Sequence, residues 1–460
     1  MRIQYRPGYE EEREQVLFYR RSYEGGEAYR EGGYLVRREL ESEEHYERRC
    51  EHATYANYCA PVIDTYTDYL MGGNIHRDWG SLAGMPALES WLEDADGDGR
   101  SYHEVMTQVA RTMMIEGWCA VVVDRPAMQA RTRAEELALG IRPYLVVYSS
   151  LDVVDIRYVR EGWQRVLDSV TLLEAPPEDA PPGSEAYRIW YRDRWELWLQ
   201  RPGAEEAELL DEGTHPLGVV PVVIARNRDD IGRTGRSDLK DIAELNRRIY
   251  QIDADIDEVR AMTAFPFLAV PERTDDEGNI IVIGAGNALP YDPETPQAKP
   301  EYIEPAHTSI SVMLQERQQV VEDIQRLSRL GGDIVGSYRQ AESGYALELR
   351  FQSLNALLRP KGRVMERVEN RVMDLFARWE GREWDGEIKY PDHYGIRDVT
   401  SYLDNAARAL AIAPSQTLRR ELGVRAATRL LGDVDAEVLR DVERELSRPR
   451  VQDMVHGGGQ

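Results

Sequence analysis

Asp94-Ala95-Asp96-Gly97-Asp98-Gly99 sets three carboxylates at alternate positions before a glycine, as a calcium-binding loop does. Such a loop also needs a bidentate Glu at its twelfth position. Here that position is Val105, and Glu104 falls one residue early. The better reading is a solvated loop capping a helix that starts at Ser101. GAGNAL, from Gly284, carries two glycines of a dinucleotide-binding turn. The third is missing, and Pro290 bars the helix that should follow, so it reads as a turn. Asp253 and Asp257 lie one helical turn apart and could hold Mg²⁺, although solvated charge on a helix face is the commoner use of such a pair. His103 and Glu104 are neighbours on a helix and point apart. The eight His are scattered, and no Walker A, HExxH or GxSxG occurs. The expectation is therefore a protein with no catalytic centre, no metal and no cofactor.

Composition narrows the class. A chain of 460 residues with 42% hydrophobic content suggests several domains with a real core. The N-terminus, MRIQYRPGYEEER, lacks the apolar stretch of a secretion signal, and no apolar run reaches the roughly 18 residues of a membrane span. Cys50, Cys59 and Cys119 are odd in number and lack CxxC spacing, which points to a reducing interior. The net charge of -25 argues against tight binding of nucleic acid, which needs clustered cations over phosphates. It remains compatible with letting DNA pass without sticking. Lys stands only at 240, 299, 361 and 389, so the cations are nearly all Arg, suited to bidentate carboxylate pairing.

The elements follow from periodicity. Residues 43–70 read as one helix, with Tyr58, Val62, Tyr66 and Tyr69 as its apolar face, and Gly72-Gly73 ends it. A helix over 101–116 precedes the strand WCAVVVD (118–124). From Pro143 to Val223 the pattern is β, with a hairpin turning near Arg192-Asp193 and an exposed proline-rich loop over 176–185. Trp163, Trp190, Trp195 and Trp198 fall here and read as sheet-core aromatics rather than a sugar platform.

Ser237 is the expected N-cap of the next helix, with Asp238 and Asp241 favoured in its first turn. Its apolar seam is Ile242, Leu245, Ile249, Ile252, Ile256 and Val259, stepping 3, 4, 3, 4, 3 as in a coiled coil. Its length is about 35–40 Å at about 1.5 Å per residue. Phe265-Pro266 stops it. FLAVP (267–271) and NIIVI (279–283) look like strands, and NALPYDPETPQAKP looks irregular. A second helix repeats the beat through Ile310, Met313, Arg317, Val320, Ile324 and Leu327. Antiparallel pairing sets Ile242 against Leu327 and Val259 against Ile310. Arg317 then falls opposite Ile252, beside Asp253 and Asp255, and an Arg in a seam needs a carboxylate. Gly331-Gly332 ends this helix. A polar segment follows, then a long helix to about Trp379 that Pro360 should kink, a short link (EIKYPDHYGIRD), and short tail helices over 399–446.

In this order the chain resembles bacteriophage portal proteins, the ring-shaped head-to-tail connectors of a capsid vertex. The local phrases that carry the resemblance are HPLGVVP (215–221), GRSDLKDIAELN (235–246), AFPFLAVP (264–271), VEDIQRLSRLGG (321–332) and ESGYALELRFQSLN (342–355). It implies an α+β, multidomain, portal-like fold. Residues 1–235 would be the N-terminal part of a mixed α/β wing, helices followed by antiparallel β. Stem helices would span 236–262 and 307–330, around a small α/β clip over 263–306. A tunnel loop would span 331–343, with Ser337, Tyr338, Arg339 and Gln340 nearest the DNA. The long kinked wing helix would span 344–396, and crown helices and tail 397–460. The first forty residues have no counterpart in the resemblance.

The implied function is structural. A homo-oligomeric ring, expected to be a dodecamer, would form the channel for dsDNA packaging and ejection. DNA would pass without sequence-specific contact. The partners would be the terminase packaging motor, a head-tail adaptor, and capsid and scaffold proteins, with no membrane. The place would be the virion's capsid vertex after assembly in the host cytoplasm. Two other readings stay open: a metal-dependent hydrolase using the acidic clusters near Asp96 or Asp253, and another virion adaptor that binds a partner through its heptad hairpin.

Overall fold

The computed structural model describes residues 1–126, 141–228, 235–264, 267–271, 288–291, 299, 301–303, 307–330 and 344–394. The fold is mixed α+β and multidomain. The helices are α1 (Tyr9–Glu24), α2 (Gly26–Glu31), α3 (Glu43–His52), α4 (Cys59–Met71), α5 (Pro86–Glu93), α6 (Tyr102–Glu116), α7 (Lys240–Ala264), α8 (His307–Ser328) and α9 (Gly344–Trp379). The strands are β1 (His76–Asp78), β2 (Trp118–Asp124), β3 (Tyr144–Ser149), β4 (Val153–Glu161), β5 (Gln164–Glu174), β6 (Glu185–Trp190) and β7 (Arg194–Gln200). They continue as β8 (Glu208–Thr214), β9 (Val222–Arg226), β10 (Phe267–Pro271), β11 (Ala288–Tyr291), β12 (Glu301–Ile303) and β13 (Glu387–Lys389). The chain divides into two compact units.

The first unit holds residues 1–13, 63–237 and 340–460. An antiparallel sheet in the order β3-β2-β9 and a five-stranded meander β4-β5-β6-β7-β8 supply its core. One face of β2, Trp118, Ala120 and Val122, packs with Val153, Val170, Leu172 and Trp190 of the meander. The other face is buried as well, which is why this strand reads as an unbroken apolar run. Cys119 points its thiol at the Val109 carbonyl of α6, and Trp379 of α9 donates to the Val123 carbonyl over 2.8 Å.

Polar groups fix the rest of this unit. Glu369 of α9 is fully buried and takes Arg77 of β1 bidentately, at 2.7 and 2.9 Å, together with the Tyr390 hydroxyl. Buried Lys361 donates to Asn227 over 2.5 Å. Gly117 closes α6 at φ 95° and lies against Gly235, where a Cβ on either residue would strike the other's backbone.

The second unit holds residues 14–62 and 238–339. The expected first segment, 1–235, is thus shared between the units, because 14–62 packs with α7 and α8. Between those helices lies a small sheet in the order β11-β10-β12. Strands β10 and β12 are antiparallel, with Phe267 opposite Ile303. That pairing brings the end of α7 beside the start of α8, so the two helices run antiparallel.

Several expectations need correction. Residues 43–70 form two helices rather than one. Asn57 caps the second, its Oδ1 accepting from the Cys59 and Ala60 amides at 3.0 Å each. The Ser237 hydroxyl donates to the Ile115 carbonyl over 2.5 Å, and the helix starts from Leu239, whose carbonyl accepts the Ala243 amide.

Residues 288–291, expected to be irregular, pair in parallel with β10, and the link residues 387–389 pair with β1. In both places a neighbouring strand overrides weak local preference. Strand β8 (ELLDEGT) lies within the expected β region but is almost wholly exposed and carries no apolar alternation of its own. The long helix continues through Pro360, whose ring faces solvent. Trp163 is 89% exposed and lies outside the sheet core. The NIIVI segment, GAG of the glycine turn, the tunnel-loop residues Ser337, Tyr338, Arg339 and Gln340, and the tail helices lie outside the described residues.

Candidate functional site: the paired helices

The seam of α7 carries Ile242, Ile249 and Ile252 as buried side chains, with Leu245, Ile256 and Val259 half-buried. On α8, Val320 and Ile324 are buried, and Ile310 and Met313 half-buried. Burial is thus deepest where the start of α7 meets the end of α8. Leu327, expected opposite Ile242, is 50% exposed, and Ser328 is buried in its place. A straight helix turns every 3.6 residues rather than 3.5, so a strict heptad drifts by about 20° per repeat. By the last turn of α8 the buried stripe has stepped from 327 to 328.

The structure brings Arg317 to Asp253. The guanidinium donates through Nε at 2.5 Å and Nη2 at 3.0 Å, a bidentate fork with both side chains about one-quarter exposed or less. The hydrogen bond to Asp253 raises the guanidinium above its ordinary value, against a smaller opposing effect of burial. Arg248 of α7 adds an exposed pair to Glu316 of α8 at 2.6 Å.

Asp255 is not part of that pair. It lies about 200° around the helix from Asp253, on the far face of α7. There it meets Arg38, which also reaches Glu258 at 2.7 Å. Arg49 stands 3.8 Å from Asp255 and forms a bidentate pair with Glu41 at 2.6 and 2.7 Å, with side chains only 6% and 5% exposed. The hydrogen bonds from Arg49 lower the Glu41 carboxyl to about 2. Asp257 pairs with Arg260 on its own helix at 3.0 Å.

One further residue fixes the pair's base. Asn246 is fully buried and was not singled out from the sequence. Its Oδ1 accepts from the Tyr58 amide at 2.8 Å and the Tyr55 hydroxyl at 3.0 Å, and its Nδ2 donates to the Ala56 carbonyl at 2.8 Å. Beside it Tyr29 stacks on Tyr55 at 3.8 Å and meets Tyr250 edge-on at 5.3 Å. The only available signal was one Asn inside an apolar-periodic helix, where a side chain of that kind needs a partner.

The acidic clusters are already engaged. Asp94 Oδ1 accepts the Gly97 and Gly99 amides, and its Oδ2 meets Arg142 at 2.6 Å. Asp96 accepts the Asp98 amide and pairs with Arg100 at 2.5 Å. Ser101 and Glu104 close a capping box on α6. Among the described residues no three His, Cys, Asp or Glu side chains come together as a metal site. Nor is any described helix long and apolar enough to cross a membrane.

The family described as Domain of unknown function (DUF4055) matches residues 238–380, from the start of the paired helices through α9. No curated protein matches. Similar solved structures include a chain from the neck of an empty gene transfer agent (GTA) particle computed with C6 symmetry. It is 12% identical over 79% of this chain and 89% of that one, with a TM-score of 0.47. A chain from the neck of a native GTA particle computed with C12 symmetry is 11% identical, over 79% and 88%, with a TM-score of 0.41. A chain of the virion of a native GTA particle is 12% identical over the same shares, with a TM-score of 0.38.

Proposed function

We propose that this chain is a portal-type connector subunit, one copy of a ring through which double-stranded DNA enters and leaves a capsid. The observation that carries the reading is the antiparallel pair α7 and α8 with a small sheet inserted at one end. Paired rods repeated around an axis build a wall, and the inserted sheet offers a docking surface for a packaging motor and later a tail adaptor. The stem, clip, tunnel-loop and crown roles belong to this proposal, with Ser337, Tyr338, Arg339 and Gln340 nearest the DNA. The net charge of -25 suits a channel that must not hold its cargo. Catalysis plays no part; the motor supplies the energy.

Negative-stain imaging of the purified full chain tests the proposal. The expected result is closed rings with a central channel at least as wide as a DNA duplex, about 20 Å. Rings without a channel, or no assembly at any concentration, would refute it.

A further inference from the structure

One face of the first unit gathers arginines away from their usual partners. Arg160 of β4 stands directly opposite Arg165 of β5. Like charges set opposite each other across strands repel. Both side chains are exposed, and among the described residues neither pairs with a carboxylate. Arg165 lies 4.0 Å over the ring of Tyr158, which shares a strand face with Arg160 two residues on. The Tyr158 hydroxyl accepts from Arg226 Nη2 of β9 over 2.9 Å. Arg226 is half-buried, and that neutral hydroxyl is the one polar partner of its guanidinium among the described residues. A half-buried cation held only by a phenol keeps its charge unmet.

Tyr158 and Arg226 line a concave site of about 360 Å³, together with Arg367 and Arg371 of α9. The walls between them are largely aliphatic, Val222 and Val368 among them. Among the described residues no carboxylate lines this site. Arg371 has an acid outside it, Asp374 at 2.5 Å, but shares that carboxylate with Arg378 at 3.1 Å. Cation therefore exceeds anion locally, in a chain whose net charge is -25.

We propose that this face binds an acidic peptide segment of another protein, with one apolar side chain in the pit and carboxylates on the surrounding guanidiniums. Arginine forks match carboxylates two hydrogen bonds at a time. The aliphatic walls decide between polyanions. A DNA backbone offers phosphates and sugars but no apolar side chain to fill the pit. A long duplex would also run past the patch over a surface of net negative charge, which repels it. A short acidic segment meets the arginines alone. The contact is independent of the ring reading and stands or falls without it.

Fluorescence anisotropy on the full-length protein tests it, with a labelled peptide in which one leucine is flanked on both sides by glutamates. Wild type should bind it, and binding should weaken as salt is raised. Arg226→Gln keeps a donor for Tyr158 but removes the charge, and should weaken binding at least about tenfold. Should Arg226→Gln lose its fold, Arg367→Gln decides, since that side chain is exposed; it should weaken binding at least about threefold. Replacing the peptide's leucine by glycine should also weaken binding, by about tenfold. A wild type that ignores the peptide at about 1 mM, a weak-binding limit, would overturn the proposal. So would unchanged binding in the folded arginine variants, or equal binding of the glycine peptide. Duplex DNA that binds the same arginines as tightly as the peptide would overturn it too, in favour of a phosphate site.

Discussion

Helix α7 has two charged faces, and they are built differently. Toward α8, Asp253 meets Arg317, a partner set by matched helical register. On the opposite face Asp255 and Glu258 meet Arg38, which for Asp255 lies 217 residues away in sequence, on a segment with no periodic pattern. The first contact joins two regular helices, so counting residues finds it. The second depends on how an irregular stretch folds back. The difference teaches that register can be read between regular elements, whereas a loop's docking site cannot.

Variants can break or sharpen this contrast. The largest loss should come from Asn246→Leu, which strands the partly buried Tyr58 amide and Ala56 carbonyl and should cost about 3 kcal/mol in denaturant unfolding. A loss under about 1 kcal/mol would mean that the 53–58 segment is held by something else. Next is Glu41→Gln, which leaves Arg49 without its carboxylate and should cost about 2 kcal/mol, between surface and deeply buried pairs.

The same residue sets a pH dependence. Its folded value of about 2 lies below the ordinary 4.5, so its stabilisation is complete above pH 4.5 and is lost as pH falls from there through 2. Glu41→Gln should flatten that part of the acid-unfolding curve. An unchanged curve would mean that Arg49 does not hold the carboxylate in solution.

Smaller effects compare the two faces directly. Arg317→Glu faces Asp253 with a like charge and should cost about 1–2 kcal/mol. Arg38→Ala, on an exposed pair, should cost about 0.5 kcal/mol or less. Equal losses would erase the distinction between the faces. One change is a gain. Arg329 sits just past α8 at φ 59°, where glycine is the usual residue, so Arg329→Gly should stabilise by about 0.5–1 kcal/mol. A loss there would show that the arginine side chain outweighs its backbone strain.

Much of the fold was legible because its core elements follow simple periods. Strand β2, the β6–β7 hairpin turning at Arg192-Asp193, helix α6 with its cap at Ser101, and both seam helices have the local patterns their environments demand. What escaped was set by tertiary partners. Residues 387–389 are a strand only because 76–78 lie beside them. The calcium-like loop kept its carboxylates for its own backbone and nearby arginines. Ser237 had the right residue type for a cap, and its hydroxyl also ties the chain to the Ile115 carbonyl, a contact no local pattern shows. At the paired helices Arg317 and the apolar positions other than Leu327 could be found by counting, whereas Asn246 and Arg49 could not, because their partners come from the N-terminal segment.

The central claim is that the paired helices belong to a closed ring. Native mass measurement of the purified full chain tests it most directly. The account predicts one dominant species at a fixed whole-number multiple, expected to be twelve, of the 52.7 kDa chain. A monomer at all concentrations, or an open-ended ladder of masses with no closed species, would contradict it.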